Sequence, residues 1–393
     1  MAPNCVGEDV EQMVAAIPDG GVLLLESVRT HRGEVENFTK FSKKLASLAD
    51  LYVNDAFCTT LAAHASIEGV AKLLKPAVAG LLMKQEFEYL VGAVAHNKKP
   101  FAAIVGGSKL SMRKTIEALL DKVDILLLGG TMIFTFWKAQ GCRIGSSLVE
   151  ESMFGPAKSI LQMAKKKKVH LVIPLDFLVR RIGPPHDVLN ATIALIPNGW
   201  RGADVGPASI NMFTTTVSDA KTVIWIGSIG AYATDGWPSG TEKIAKCLAD
   251  LSGKGVTTIV AGGASRGYLQ SQGLADKISH ISMGGPILPL LEGRLLPGLV
   301  ALDDYSDDDK GEDSRDKRKK RSAETSASKT PADKKAKLRC LSNLIMSADG
   351  NECRRGDVET LHPAQKAGKS DKSKQGEIPK LRWLVFSLKS QKF

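Results

Sequence analysis

Glycine-rich turns are the features of this 393-residue chain with the clearest chemical capacity. In VGGSK, Gly106 and Gly107 lead into Ser108 and Lys109, directly after the apolar run Ala102 to Val105. A turn without Cβ atoms lets backbone N–H groups approach an anion, and a lysine adds a point charge, so the pattern reads as a phosphate cradle. A tight turn with a surface lysine is the plainer reading of the same residues. Comparable turns place Gly130 in GGTM, Gly227 and Gly230 in IGSIG, and Gly262 and Gly263 in AGGAS. Metal chemistry has less to build on. The six cysteines are scattered without CxxC pairs, and Cys340, Cys353 and His362 fit no zinc-ligand spacing, so no metal site is expected.

The elements that would position these turns alternate short apolar runs with longer amphipathic stretches from Val22 to about Asp303, the pattern of a parallel sheet wrapped by helices. Strands are expected at Val22 to Leu25, Leu51 to Val53, Ala102 to Val105, Ile125 to Leu128, Val169 to Ile173, Thr222 to Trp225, Thr258 to Val260 and His280 to Ser282. Several run into glycine at their C-terminal ends, where ligands of open α/β sheets sit. Helices are expected at Phe38 to Leu48, Gly80 to His96, Lys114 to Lys122, Pro156 to Lys168 and Thr241 to Ser252. In the last of these, Ile244, Cys247, Leu248 and Leu251 form an apolar stripe while Lys243 and Lys246 fall on the wet side.

Composition sets outer limits. The hydrophobic fraction of 43% belongs to globular proteins, and no apolar run is long enough to span a bilayer. The start MAPNCVGEDVEQMV has neither a secretory nor a transit pattern, so a cytoplasmic protein is expected. Of the net charge of +11, the last quarter supplies more than half: residues 303–393 hold 22 Lys and Arg against 16 Asp and Glu. That stretch is nearly free of apolar residues to beyond 337, a composition expected to stay disordered. Its basic clusters, Lys317 to Arg321 and Lys334 to Lys337, resemble a two-part nuclear import signal or a contact for nucleic acid or another polyanion. Leu381 to Leu388 (LRWLVFSL) is an apolar island within it, either a docking element or sequence never selected as protein.

Several collinear segments resemble phosphoglycerate kinase, its plant members most of all: GGVLLLESVR, LYVNDAF, AGLLMKQEFEYL, KPFAAIVGGSK, LLLGGTMIFTFWKAQG, IGSSLVEE, VIWIGSIGA and SHISMGG. The resemblance covers roughly residues 5 to 303 and implies an α/β protein of two doubly wound parallel-sheet (Rossmann-like) domains. It also implies phosphoryl transfer between 1,3-bisphosphoglycerate and Mg-ADP, with the phosphoglycerate on the N-terminal domain and the adenine nucleotide on the C-terminal one. On that basis Lys109 would contact nucleotide phosphates, and Arg29, Asn54 and His64 would stand on the 3-phosphoglycerate side.

The same resemblance exposes departures. Arg113 stands where the family carries a second lysine that stabilises the moving phosphoryl group. Ile226, Ser228 and Ala233 replace the Asn, Pro and Glu of a family motif, and Ala264 replaces an Asp that helps to hold the magnesium nucleotide. Pro286 removes a backbone donor from the loop SMGGPILP, and an arginine is missing from the stretch Cys58 to His64. The family's RVDFN and SHLGRP motifs have no counterpart before the first strand, which implies an incomplete N-terminal sheet. The expected organisation is a partial phosphoglycerate-side domain over 1–90, a nucleotide domain over 91–303 and a charged tail over 304–393. Impaired catalysis is expected, with a non-catalytic binding protein or a gene remnant as alternatives.

Overall fold

The computed structural model describes residues 1–303, apart from 93, 95, 109, 186, 193, 194 and 231–239, and then residues 383–387. These fall into two compact units, one built from Met1–Ala56, Ala62–Leu81 and the described residues from Pro297 onward, the other from Phe57–Leu61 and Leu82–Leu296. The tail, expected to be disordered over 304–393, lies outside the described residues except for Trp383–Ser387, which form a strand instead, and Lys109 and Ala233 also lie outside them.

The first unit is built on a three-stranded parallel sheet. Strand β1 (Leu51–Asp55) lies between β2 (Ala77–Ala79) and β12 (Trp383–Ser387), the last strand of the chain. The apolar island near the C-terminus is thus a strand, in parallel register with β1 from Leu51↔Trp383 to Asp55↔Ser387. Strand alternation puts Tyr52 and Leu384 on one face, where they join Phe41, Leu45, Val70 and Ala77 in a shared core. Helices α1 (Glu8–Ala15) and α2 (Thr39–Ala46) belong to this unit, and Leu45 of α2 is fully buried. Asp303 closes the unit by accepting from the Ala77 N–H at 2.9 Å and pairing with Lys75. Val22 to Leu25 does not form the expected strand. Its one backbone bond of this kind runs from the Ala2 N–H to the Leu24 carbonyl, and Val22 is 95% exposed, so its apolar side chains lack a sheet to join.

The second unit carries a six-stranded parallel sheet in the order β11-β10-β9-β3-β4-β5. The strands are β3 (Phe101–Val105), β4 (Ile125–Leu128), β5 (His170–Val172), β9 (Thr222–Ile226), β10 (Thr257–Ala261) and β11 (His280–Ile281). Their Val, Ile and Leu runs are buried along nearly their whole length, as strands covered on both faces require. Chain order runs outward from β3 to β5 on one side and from β9 to β11 on the other, so direction reverses between β3 and β9.

Surrounding helices are α3 (Leu81–Phe87), α4 (Arg113–Leu119), α5 (Ile133–Ala139), α6 (Phe154–Lys166), α7 (Pro207–Val217), α8 (Gly240–Gly253) and α9 (Gly263–Ser271). One core joins Ile104, Trp225 and Val260 of the sheet to Phe213, Ile244, Leu248 and Leu269 of α7, α8 and α9. The stripe read from the sequence is its α8 contribution. Each such large side chain contributes about 1.5–3 kcal/mol by leaving water.

A second, antiparallel sheet of this unit has the order β7-β6-β8, with β6 (Asp176–Arg181), β7 (Val188–Thr192) and β8 (Trp200–Val205). The sequence reading placed no strand there. A bulge between Leu178 and Val179 shifts the pairing of β6 with β8.

Candidate functional site

Four glycine turns meet at the C-terminal ends of β3, β4, β9 and β10, around the point where strand order reverses. After β3, Gly106 donates to the Ile226 carbonyl at 2.8 Å, and a Cβ on it would collide with the Ser228 carbonyl. Gly227, after β9, donates to Ala261 of β10 at 3.1 Å, and a Cβ there would lie 2.5 Å from the Gly106 carbonyl oxygen. Gly130, after β4, donates to the Ile229 carbonyl at 2.6 Å, and its Cβ would strike the backbone of Gly107. Gly262, after β10, comes against Gly227. Gly107, Gly130, Gly227 and Gly262 all have φ between +71° and +139°, where L side chains are strained. The residue type is therefore required twice over at this site, by backbone conformation and by backbone-to-backbone approach.

The glycines singled out in the sequence are thus brought together. Gly263 begins α9, whose first turn contains no acidic residue, and Ala264 stands in that turn. Ser108 is exposed, and Gly230 packs directly over the Asp204 carboxylate. The Met112 methyl lies 3.5 and 3.6 Å from the positions that Cβ atoms on Gly107 and Gly227 would take, so a thioether edges the cradle. Arg113 opens α4 with its Nε 3.3 Å from Glu117. The segment carrying the Gly106–Lys109 turn is pinned at its far end by Glu150, which accepts from the Leu110 N–H at 2.6 Å.

Asp204 is a site residue that local sequence patterns do not reveal. It is 7% exposed and accepts from the Val205 N–H at 2.7 Å and from the Gly240 N–H, at the start of α8, at 3.0 Å. Burial pushes its carboxyl up to about 6, while the two N–H groups pull the other way. One carboxylate so supports the turn after β9 and the start of the helix that follows.

The loop Ser282–Gly285 is held by Glu86, which is 1% exposed. Its carboxylate takes hydrogen bonds from Ser282 Oγ at 2.8 Å and the Met283 N–H at 2.6 Å, and lies 3.1 Å from His280 Nε2. The His280 ring stacks on Tyr89 with centroids 4.6 Å apart. Pro286 caps the short helix Ile287–Leu291.

Beside the cradle, with Thr131 next to Gly130 in its wall, a cavity of about 280 Å³ is lined by Thr131, Phe134, Leu148, Gly202, Ala203, Arg180 and Arg201. A Cβ on Gly202 would collide with the Phe134 ring, so that ring packs on bare backbone.

In the first unit, Asn54 is fully buried. Its Oδ1 accepts from the Ala56 N–H at 3.0 Å and its Nδ2 donates to the Gly298 carbonyl at 3.5 Å. His64 Nδ1 lies 3.3 Å from the Val35 carbonyl, and its own carbonyl accepts from Glu68 N at 2.8 Å. Arg29 is exposed in the short helical turn Val28–Thr30. No hydrogen bond among the described residues joins Arg29, Asn54 and His64 to one another.

A sequence model of phosphoglycerate kinase matches residues 1–294. The cytosolic phosphoglycerate kinase of Triticum aestivum is 56% identical over 307 residues, 77% of each chain, and the cytosolic phosphoglycerate kinase 3 of Arabidopsis thaliana is 55% identical over the same shares. Among solved structures, phosphoglycerate kinase from Coxiella burnetii is similar with a TM-score of 0.67 at 36% identity over 72% of each chain. That from Pyrococcus horikoshii has a TM-score of 0.65 at 25% identity over 76% of each chain. With its glycine turns gathered on a doubly wound sheet and more than half its residues identical to plant relatives over 307 positions, the chain belongs to the phosphoglycerate kinase family.

Proposed function

We propose that this chain binds the phosphates of an adenine nucleotide on the glycine cradle and that its phosphoryl transfer is impaired or lost. The observation that carries the reading is the convergence of four glycine turns at the reversal point of the parallel sheet, where main chain bare of Cβ atoms lets an anion come close. The nucleoside would extend past Thr131 into the neighbouring cavity.

Phosphoryl transfer rests on positioning and on neutralising the moving group, and this site is short of both. A magnesium ion arriving with the nucleotide favours carboxylate and water oxygens, but the first turn of α9 offers Ala264 and no acidic residue. The site therefore does not fit the ion. Arg113 is turned toward Glu117, and Met112 sets a methyl group beside the cradle. On the other unit, the Asn54 amide is spent on local backbone, which leaves weak capacity for 3-phosphoglycerate. Loss of one preorganised electrostatic group costs on the order of 10²-fold or more in rate, and several are missing together. We place the protein in the cytosol, where the wheat and Arabidopsis relatives are named.

The test is calorimetric titration of the full chain with ADP and ATP, with and without Mg²⁺, beside a coupled assay for ATP formation run in parallel with the wheat relative. Nucleotide binding with turnover at or below about one-hundredth of the relative's is the expected result. Turnover equal to the relative's overturns the catalytic half of the reading, and absence of nucleotide binding overturns all of it.

A further inference from the structure

The first turn of α9 holds a cation where a metal-bound phosphate would call for an acid. Ala264 and Ser265 follow Gly263, and Arg266 closes the turn, its N–H donating to the Gly262 carbonyl at 3.0 Å. Side chains of a helix lean toward its N-terminus and residues four apart share a face, so Arg266 stands on the face of Gly262 and leans back toward the strand ends. Gly262 in turn faces the cradle, because a Cβ on it would lie 3.2 Å from the Gly227 nitrogen. A cation in a first turn meets the positive end of the helix dipole, an unfavourable placement that a bound anion reverses.

The partners of this arginine are poor ones. Arg266 is half-buried, and among the described residues its guanidinium meets one acceptor, the Sδ of Met283, which follows β11 and lies 3.5 Å from Nη1. A thioether is a weak acceptor, against five N–H donors on a guanidinium. The carboxylate that holds the Met283 loop, Glu86, is taken up by Ser282 Oγ, the Met283 N–H and His280. In the same turn of α9, Ser265 is 0% exposed and its hydroxyl has no hydrogen-bond partner among the described residues. This nine-residue helix thus begins without a side-chain cap, with an unpartnered buried hydroxyl and with a guanidinium short of acceptors. Phosphate oxygens are the acceptors that such a set of donors matches.

We infer that Arg266 takes the place of a magnesium ion at the cradle: the chain binds nucleoside di- and triphosphates free of metal, with the guanidinium offsetting the charge of the terminal phosphate. The inference rests on the cradle reading above and adds the form of the ligand. A carboxylate in the first turn of α9 would repel a bare polyphosphate and draw a metal, whereas Ala264 with Arg266 does the reverse.

The experiment is calorimetry on the full chain with ATP and with ADP, each in excess EDTA and in excess Mg²⁺. ATP in EDTA is expected to bind at least as tightly as ATP with Mg²⁺. In Arg266→Gln, affinity for metal-free ATP should fall at least about tenfold, the size of one charge-assisted contact, and for Mg-ATP by less than about threefold, since the ion already offsets the phosphate charge. Arg266→Lys keeps the charge and should lose less than Arg266→Gln. Arg294→Gln, which removes the same charge from an exposed position of the same unit, should bind as the parent chain does. ATP bound more tightly with Mg²⁺ than without it, metal-free affinity unmoved by Arg266→Gln, or an equal loss in Arg294→Gln overturns the inference and leaves the cradle reading standing. Binding of neither nucleotide in either condition overturns both.

Discussion

Three residues of the second unit show how a position's chemistry follows from its surroundings. Gly130 has φ +71°, and a Cβ on it would meet Gly107 backbone that cannot rotate away. Gly130→Ala should therefore cost more than about 3 kcal/mol, read as a shift of the urea midpoint, because strain and collision add. Gly155 lies within α6 with open space around its Cα, and Gly155→Ala should instead stabilise by about 0.5–1 kcal/mol. Asp204 carries a pH signature. Its carboxyl sits at about 6 against an ordinary 3.8, so the folded state binds its proton more tightly than the unfolded state does. Stability from this group is thus greatest below pH 4 and declines as pH rises to 6, by roughly 2–3 kcal/mol in all. Asp204→Asn should flatten that part of the stability profile, and an unchanged slope between pH 4 and 6 would count against the burial argument. The glycines were legible in the sequence because turn chemistry is local. Asp204 was not, since its role depends on partners such as Gly240, which sequence spacing does not pair.

At the scale of elements, β12 is the piece whose attachment is most finely balanced. Ordering five residues costs about 1–2 kcal/mol each. Against that stand the Leu384 side chain, about 1.5–3 kcal/mol on burial, and the backbone bonds to β1, each about 0.5–1.5 kcal/mol net. The sum is near zero, so β12 should detach readily. Leu384→Asp is expected to speed amide exchange of Leu51–Asp55 in β1 while leaving β3 and β9 protected. Equal loss of protection in all three would contradict a local role. Strands buried on both faces, β3, β4, β9 and β10, stood out as apolar runs. Strands β6–β8 escaped notice because they sit partly exposed and pair across the chain, and Val22 to Leu25 looked like a strand only because apolarity does not guarantee a neighbour to bond with.

At the scale of the molecule, the chain combines a family fold and a backbone cradle of glycine turns with, on the function proposed above, a depleted set of charged groups. Backbone geometry rests on glycine and apolar patterning, which this sequence keeps, and transfer chemistry rests on individual polar side chains, which on the function proposed above it has exchanged at Arg113, Ile226, Ser228 and Ala264. Family membership and the overall architecture were therefore readable from collinear motifs. The most direct test of the cradle is hydrogen–deuterium exchange of the full chain with and without saturating ADP. Slowed exchange confined to Gly106–Met112, Gly129–Met132, Gly227–Gly230 and Gly262–Ser265 is the expected result. Unchanged exchange in those four turns, or protection centred elsewhere in the chain, would contradict nucleotide binding at the glycine cradle.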